Sequence, residues 1–120
     1  MNTLFTELLG TSPEVKTLDF LLIHGHYDYS LTEIARNSNV GWVTIHSFWK
    51  DWVKKGFVVK TRRIGRAQLF ELNKKHPFVE KVMELHDQTL KEFINNEIAK
   101  NKAKSRKQET SHRQTAQANA

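Results

Sequence analysis

The sequence predicts a mainly α-helical fold with one small β-hairpin placed ahead of a long C-terminal helix. Three observations predict it. Apolar residues recur at three- and four-residue spacing in stretches 13–23, 42–55 and 77–99. Ser30-Leu31-Thr32-Glu33 has the spacing of a capping box, which opens a further short helix. Val, Phe and Leu gather in "FVVKTR" and "AQLFEL", on either side of a turn that contains Gly65.

Each element has a local cause. In the leader 3–9, Leu4, Phe5, Leu8 and Leu9 fit a turn or helix packed on the core. Ser12 can cap the first long helix, Pro13 suits its first turn, and Glu14 favours the positive end of its dipole. Val15, Leu18, Leu21 and Leu22 form its apolar stripe, and Gly25 interrupts it. The short helix 31–37 is stapled by Tyr29 and Ile34, and "NSNV" stops it. Asn39 stands where a left-handed residue is wanted, a conformation Asn tolerates better than most. A third helix opens after Gly41 and closes at Gly56. Residues 57–72 form the hairpin, "NKKHP" connects, and Pro77 starts the last helix. From Asn101 no apolar stripe remains, so 101–120 reads as a disordered basic tail.

With 120 residues there is room for one modest core. There is no cysteine, which excludes disulfides and thiolate metal sites. No apolar run approaches the ~20 residues that span a bilayer. "MNTLFTELLG" lacks the basic start and apolar stretch of a signal peptide, so a cytoplasmic protein is expected. The net charge of +6 is unevenly spread. Residues 1–35 carry one Lys against five acids, while residues 36–75 carry ten Lys and Arg against Asp51 and Glu71. The tail adds Lys102, Lys104, Arg106, Lys107 and Arg113 against Glu109. A basic block of this kind attracts a polyanion; the plain alternative is a solvated face.

Helix, short helix, tight turn, helix, hairpin, long helix is the order of a winged helix-turn-helix, which puts its third helix into the DNA major groove. The residues agree. "LTEIARNSNVGWVTIHSFWKDWVKKGFVV" resembles the helix-turn-helix of ArsR- and MarR-type regulators. The matching positions are Ile34-Ala35, Asn39-Val40-Gly41, Thr44-Ile45, Trp49, Trp52 and Gly56-Phe57-Val58. "GRAQLFELN" is similar to the second wing strand of archaeal members. The resemblance covers about 13–99 and implies a dimeric transcription regulator that binds double-stranded DNA; a nucleoid-associated protein with no cofactor is expected. Asn39 replaces the usual turn Gly. Gly41 replaces the usual Ser, which removes a hydroxyl available for capping and for a phosphate contact.

All three tryptophans fall in "NVGWVTIHSFWKDWVKKGF". With Trp42 at zero on a helical wheel, Ile45, Phe48, Trp49 and Trp52 lie between about 240° and 340°. That stripe is expected in the core. His46, Lys50, Val43, Lys54 and Ser47 lie from about 40° to 140°, the face shown to a groove. Trp42 stands at the border, and it either lids the core edge or lies against DNA. Thr44 joins the helix start. His46 and Ser47 can hydrogen-bond to bases or phosphates, Val43 can meet thymine methyls, and Lys50 and Lys54 suit phosphates. The helix face holds no Arg, Asn or Gln, which implies modest base specificity or readout of DNA shape. Arg62, Arg63 and Arg66 surround the hairpin tip and suit the minor groove or flanking phosphates. Charge protection of an edge hairpin is the plainer account of the same residues.

The division expected is a winged helix-turn-helix domain at 1–76, a dimerisation helix at 77–100 and the tail. Val79, Val82, Met83, His86, Leu90, Phe93 and Ile94 form the stripe assigned to the dimer contact. His24-Gly25-His26 has no further ligands at metal-site spacing and reads as a polar loop, with Asp28 an ordinary loop residue. No catalytic or phosphate-loop motif occurs, so no enzyme is expected. The alternative class is a winged-helix adaptor, or a protein that coats DNA, acting through a further protein partner.

Overall fold

A computed structural model describes residues 3–118, with side chains described for 3–103. The order is α1 (Leu4–Leu9), α2 (Pro13–Ile23), β1 (Tyr29–Ser30), α3 (Leu31–Ser38), α4 (Trp42–Lys54), β2 (Val58–Ile64), β3 (Ala67–Leu72) and α5 (Pro77–Ala118). The three strands form one antiparallel sheet in the order β1-β3-β2. This is a winged helix-turn-helix with a long last helix.

Local chemistry sets the joints. The Ser30–Glu33 capping box opens α3. Asn39 closes it in the left-handed conformation, at φ 57° and ψ 46°. The Val40 amide donates to the Ala35 carbonyl and the Asn39 amide to the Arg36 carbonyl, satisfying the helix end. Lys16 of α2 donates to the Asn39 carbonyl at 2.8 Å and ties this turn to the preceding helix. At the end of α4, Gly56 takes φ 79°, and the amides of Gly56 and Phe57 return to the carbonyls of Val53 and Trp52. Gly65, at φ 59°, turns the hairpin, a backbone state that β-branched residues avoid.

The core gathers Leu21 of α2, Ile34 and Ala35 of α3, Ile45, Phe48 and Trp49 of α4, Val58, Phe70 and Leu72 of the sheet, and Val79 of α5. Trp49 meets Phe70 edge-on at 5.3 Å. Trp52, expected wholly inside, is half-buried, stacked on Phe48 at the margin of this cluster. The expected inward stripe is therefore graded, with Trp52 packed against the edge of the cluster.

The leader 3–9 forms the helix packed on the core that was expected, with Phe5 buried against His86. Two features depart from the expectations, the third strand and the length of the last helix. Tyr29 and Ser30 pair with Phe70 and Leu69 as a third strand, too short to leave a periodic signal. Helix α5 continues through Ala118, where a stop near 99 and a disordered tail were expected. After Pro77 the chain holds no Pro or Gly, and Lys, Gln, Glu, Arg and Ala propagate a helix well. Loss of an apolar stripe marks where packing ends, not where a helix must. The side chains of Lys104, Arg106, Lys107 and Arg113 lie outside those described.

The dimer stripe also divides. Val79 and His86, expected at the dimer contact, are instead buried within the chain's own core; Val82 and Met83 are half-buried. His86 is 2% exposed. Its Nε2 donates to Asp19 Oδ1 at 3.0 Å, and that oxygen also accepts from Thr3 Oγ1 at 3.1 Å. Leu90, Phe93 and Ile94 remain exposed, with Leu85 and Ile98 beside them in sequence. The first turns of α5 thus anchor it to α1 and α2, and the later turns leave the body.

Candidate nucleic-acid interface

Helix α4 presents two unlike faces. Ile45, Phe48 and Trp49 are buried, whereas Trp42, Val43, Thr44, His46, Ser47, Lys50 and Lys54 are all exposed. Trp42 is 52% exposed and Val43 82%. Trp42 does not lid the core. It stands one turn from His46, with ring centroids 4.1 Å apart in an edge-on contact. Gly41 caps the helix with no side-chain hydrogen bond, so the helix start lacks a hydroxyl there. The Ser47 hydroxyl donates to the carbonyl of Thr44 in its own helix.

The sheet brings the wing to this face. A groove of about 590 Å³ runs between α4 and the hairpin. Trp42, His46 and Lys50 line one wall, and Lys60, Arg66 and Gln68 the other, with Trp49 and Phe70 beneath. Cations from helix and wing therefore share one concavity with two aromatic rings at its rim. Among the described residues, Trp49 Nε1 is the one buried side-chain polar atom without a hydrogen-bond partner, and its ring forms this floor. Lys60 and Gln68 are additions to the expected set. A two-residue period counted from Phe70 would have placed Gln68 on the helix side.

The arginines separate. Ile64 pairs with Ala67, Arg63 with Gln68, Arg62 with Leu69 and Lys60 with Phe70, so Thr61 is the extra residue of a β-bulge. Opposed residues share a face, so Lys60 and Arg63 point to the α4 side and Arg62 to the other. Arg63 Nε donates to the Gly65 carbonyl at 3.0 Å. Arg62, one of the three arginines expected to contact DNA at the wing tip, lies on the face away from the groove. Its Nε and Nη2 donate to the two oxygens of Asp28, at 2.9 and 3.1 Å. Asp28 also accepts from the Thr61 hydroxyl, so it is not an ordinary loop residue.

This pairing holds the Asp28 carboxyl below the usual carboxylate range, chiefly through the Arg62 hydrogen bond and next through that of Thr61. The same bond raises the Arg62 guanidinium, which stays charged. A depressed carboxylate stabilises the fold above its ordinary titration range, and that contribution disappears as pH falls through the lowered folded value. The Arg62 Nε–H resonance is therefore expected to titrate with a midpoint below that of an unpaired Asp. An NMR titration with an ordinary aspartate midpoint would contradict the pairing.

Elsewhere, Asp51 pairs with Lys55 at 2.8 Å on the outer side of α4. His24 ends α2 and stacks on Phe20 at 5.0 Å. Among the described residues, no group of three or more His, Asp or Glu is placed to hold a metal ion. No helix there is long and apolar enough to cross a membrane.

No known protein family's profile matches the chain, and no curated protein sequence matches it. Among solved structures it is similar to the adhesin competence repressor AdcR from Streptococcus pyogenes, with TM-score 0.52 and 18% identity over 67% of this chain. The chain spans 59% of the AdcR chain. It is also similar to ZitR from Lactococcus lactis, solved in complex with DNA, with TM-score 0.49 and 17% identity over 67% of this chain and 57% of that one. The likeness to AdcR shows a shared fold.

Proposed function

We propose that this chain binds double-stranded DNA as a dimeric transcription regulator of the ArsR/MarR-like type. Helix α4 enters the major groove, and the wing lies on the minor groove or the backbone. One observation carries the reading: Lys50, Lys60 and Arg66 converge on one groove between α4 and the hairpin, edged by Trp42 and His46. An extended polyanion needs such a continuous cationic track, and a scattered solvated charge set does not produce one. The repressor fold neighbour AdcR is in keeping with it, as is the archaeal-like pattern of the second wing strand.

Roles follow from chemistry. Lys50, Lys54, Lys60, Arg63 and Arg66 meet phosphates. Val43 and Trp42 pack on thymine methyls or sugars, and Thr44 and Ser47 line the helix start. His46 and Gln68 supply hydrogen bonds to base edges, Gln having the geometry to read adenine. The exposed run Leu90, Phe93 and Ile94 on α5 is the dimer contact, since a helix leaving the body needs cover for its apolar side. A two-fold dimer would set two α4 helices about 34 Å apart on successive major grooves. Such a protein works at the nucleoid in the cytoplasm.

Selection of bound sequences from a random duplex pool at physiological salt tests the reading, with sedimentation to give the subunit count. An enriched palindrome and a dimer are expected. His46→Ala is expected to change the enriched sequence more than the total affinity, and a uniform loss across all sites would contradict its role as a base reader.

The exposed Trp42–Val43 pair favours one second reading, an adaptor that docks a protein through an aromatic hot spot. In that case heparin retains the protein, yet duplex DNA leaves tryptophan fluorescence unchanged.

A further inference from the structure

Asp28 stands 33 and 34 residues before the two wing side chains that it holds. It lies one residue ahead of β1, whose Ser30 caps α3, so it belongs to the frame of the helix-turn-helix. Its side chain is 16% exposed, against 63% for Arg62. Three donors reach its two oxygens, all from the consecutive residues Thr61 and Arg62 at the bulge. The Thr61 hydroxyl also lies 3.3 Å from the Leu69 carbonyl.

The bulge and the carboxylate act together. In a regular strand, Lys60 and Arg62 would share a face and Arg63 would turn away. The extra residue reverses this, so that Lys60 and Arg63 face α4 and Arg62 faces Asp28. A bulge alone leaves a locally weakened ladder with freedom to slip. A bidentate carboxylate–guanidinium pair fixes direction as well as distance.

We infer that Asp28 is a positioning residue for the wing: it clamps the bulge at Thr61, withdraws Arg62 from the DNA-facing set, and leaves Lys60, Arg63 and Arg66 as the wing's phosphate contacts. This rests on the DNA-binding reading above.

The test is a salt titration of binding to a fixed duplex by the full chain and by Arg62→Ala, Arg66→Ala and Asp28→Ala. Removing one cation from a phosphate lowers the slope of log K against log salt by about 0.9. Arg66→Ala is expected to lower it by that amount, and Arg62→Ala to leave it at the parent value. Asp28→Ala frees a cation and is expected to steepen the slope by up to ~0.9. A merely structural role for Asp28 does not raise the slope. Arg62→Ala behaving like Arg66→Ala, or Asp28→Ala keeping the parent slope, overturns the inference.

Amide hydrogen exchange separates this from the function itself. If the parent fails to bind any duplex, the DNA reading falls, and the clamp is judged on exchange alone. Faster exchange confined to residues 60–68 in both Asp28→Ala and Arg62→Ala supports it. Parent-like exchange there, or loss of protection throughout α2 and α4, overturns it.

Discussion

Replacing Lys50, Lys60 and Arg66 together by Ala is expected to lower the slope of log K against log salt by about 2.7, three phosphates at ~0.9 each. Between 50 and 200 mM salt the parent's affinity would then fall about 40-fold more than the variant's. The three side chains come from two separate elements, α4 and the hairpin, yet line one groove. A combined loss of that size therefore tests the groove and not any single charge. All three are exposed and none takes part in the ion pairs of the described residues, so the fold should change by no more than ~0.5 kcal/mol per site. Lys81 and Lys91, exposed on α5, serve as controls, and their replacement by Ala should leave the slope unchanged. Parallel titrations for the triple variant and the parent would mean that the basic block is a solvated face.

His86→Ala is expected to destabilise the protein by about 3–5 kcal/mol, the usual consequence of breaking a buried pair and leaving one partner uncompensated. The imidazole fills space against Phe5, so its loss adds a void and leaves Asp19 with only the Thr3 hydroxyl on that oxygen. The contact joins α2 to α5, and Thr3 of the leader reaches the same oxygen, so three elements loosen at once. For a small domain, 3–5 kcal/mol is a large part of the total stability. Urea unfolding of His86→Ala, Asp19→Ala and the double variant would measure it. The double variant should be less destabilised than the sum of the singles, because it leaves no orphaned group. A loss below ~1 kcal/mol for His86→Ala would show that the pair is not a joint of the fold.

The helix-turn-helix is legible in the sequence because its signals are local. The capping box at Ser30, the left-handed Asn39 and the closing Gly56 each act over a few residues, and each forms as its residue type requires. The stripe of Ile45, Phe48 and Trp49 is likewise a property of one helix. Trp42 is undecided on the wheel because a border position is settled by what lies opposite. It is more than half exposed, and His46 stands beside it.

Where the sequence misleads, one cause recurs. Arg62 and Arg63 are neighbours in a basic run, and their opposite fates depend on one extra residue in a strand paired with another. Asp28 reads as ordinary because its partners lie more than thirty positions away. Val79 and His86 share a stripe with Leu90, Phe93 and Ile94, and periodicity cannot tell which length of a helix meets its own body.

Periodicity, caps and turn residues by themselves determined the order of the helices and the hairpin, the winged helix-turn-helix, and which side of α4 turns inward. These follow from dihedral preferences and from apolar spacing along a few consecutive residues. Only the tertiary structure decided which cations share the groove, that Asp28 holds Arg62 away from it, and where α5 ceases to belong to the core. Those outcomes depend on strand register and on partners distant in the chain, which short-range patterning does not encode.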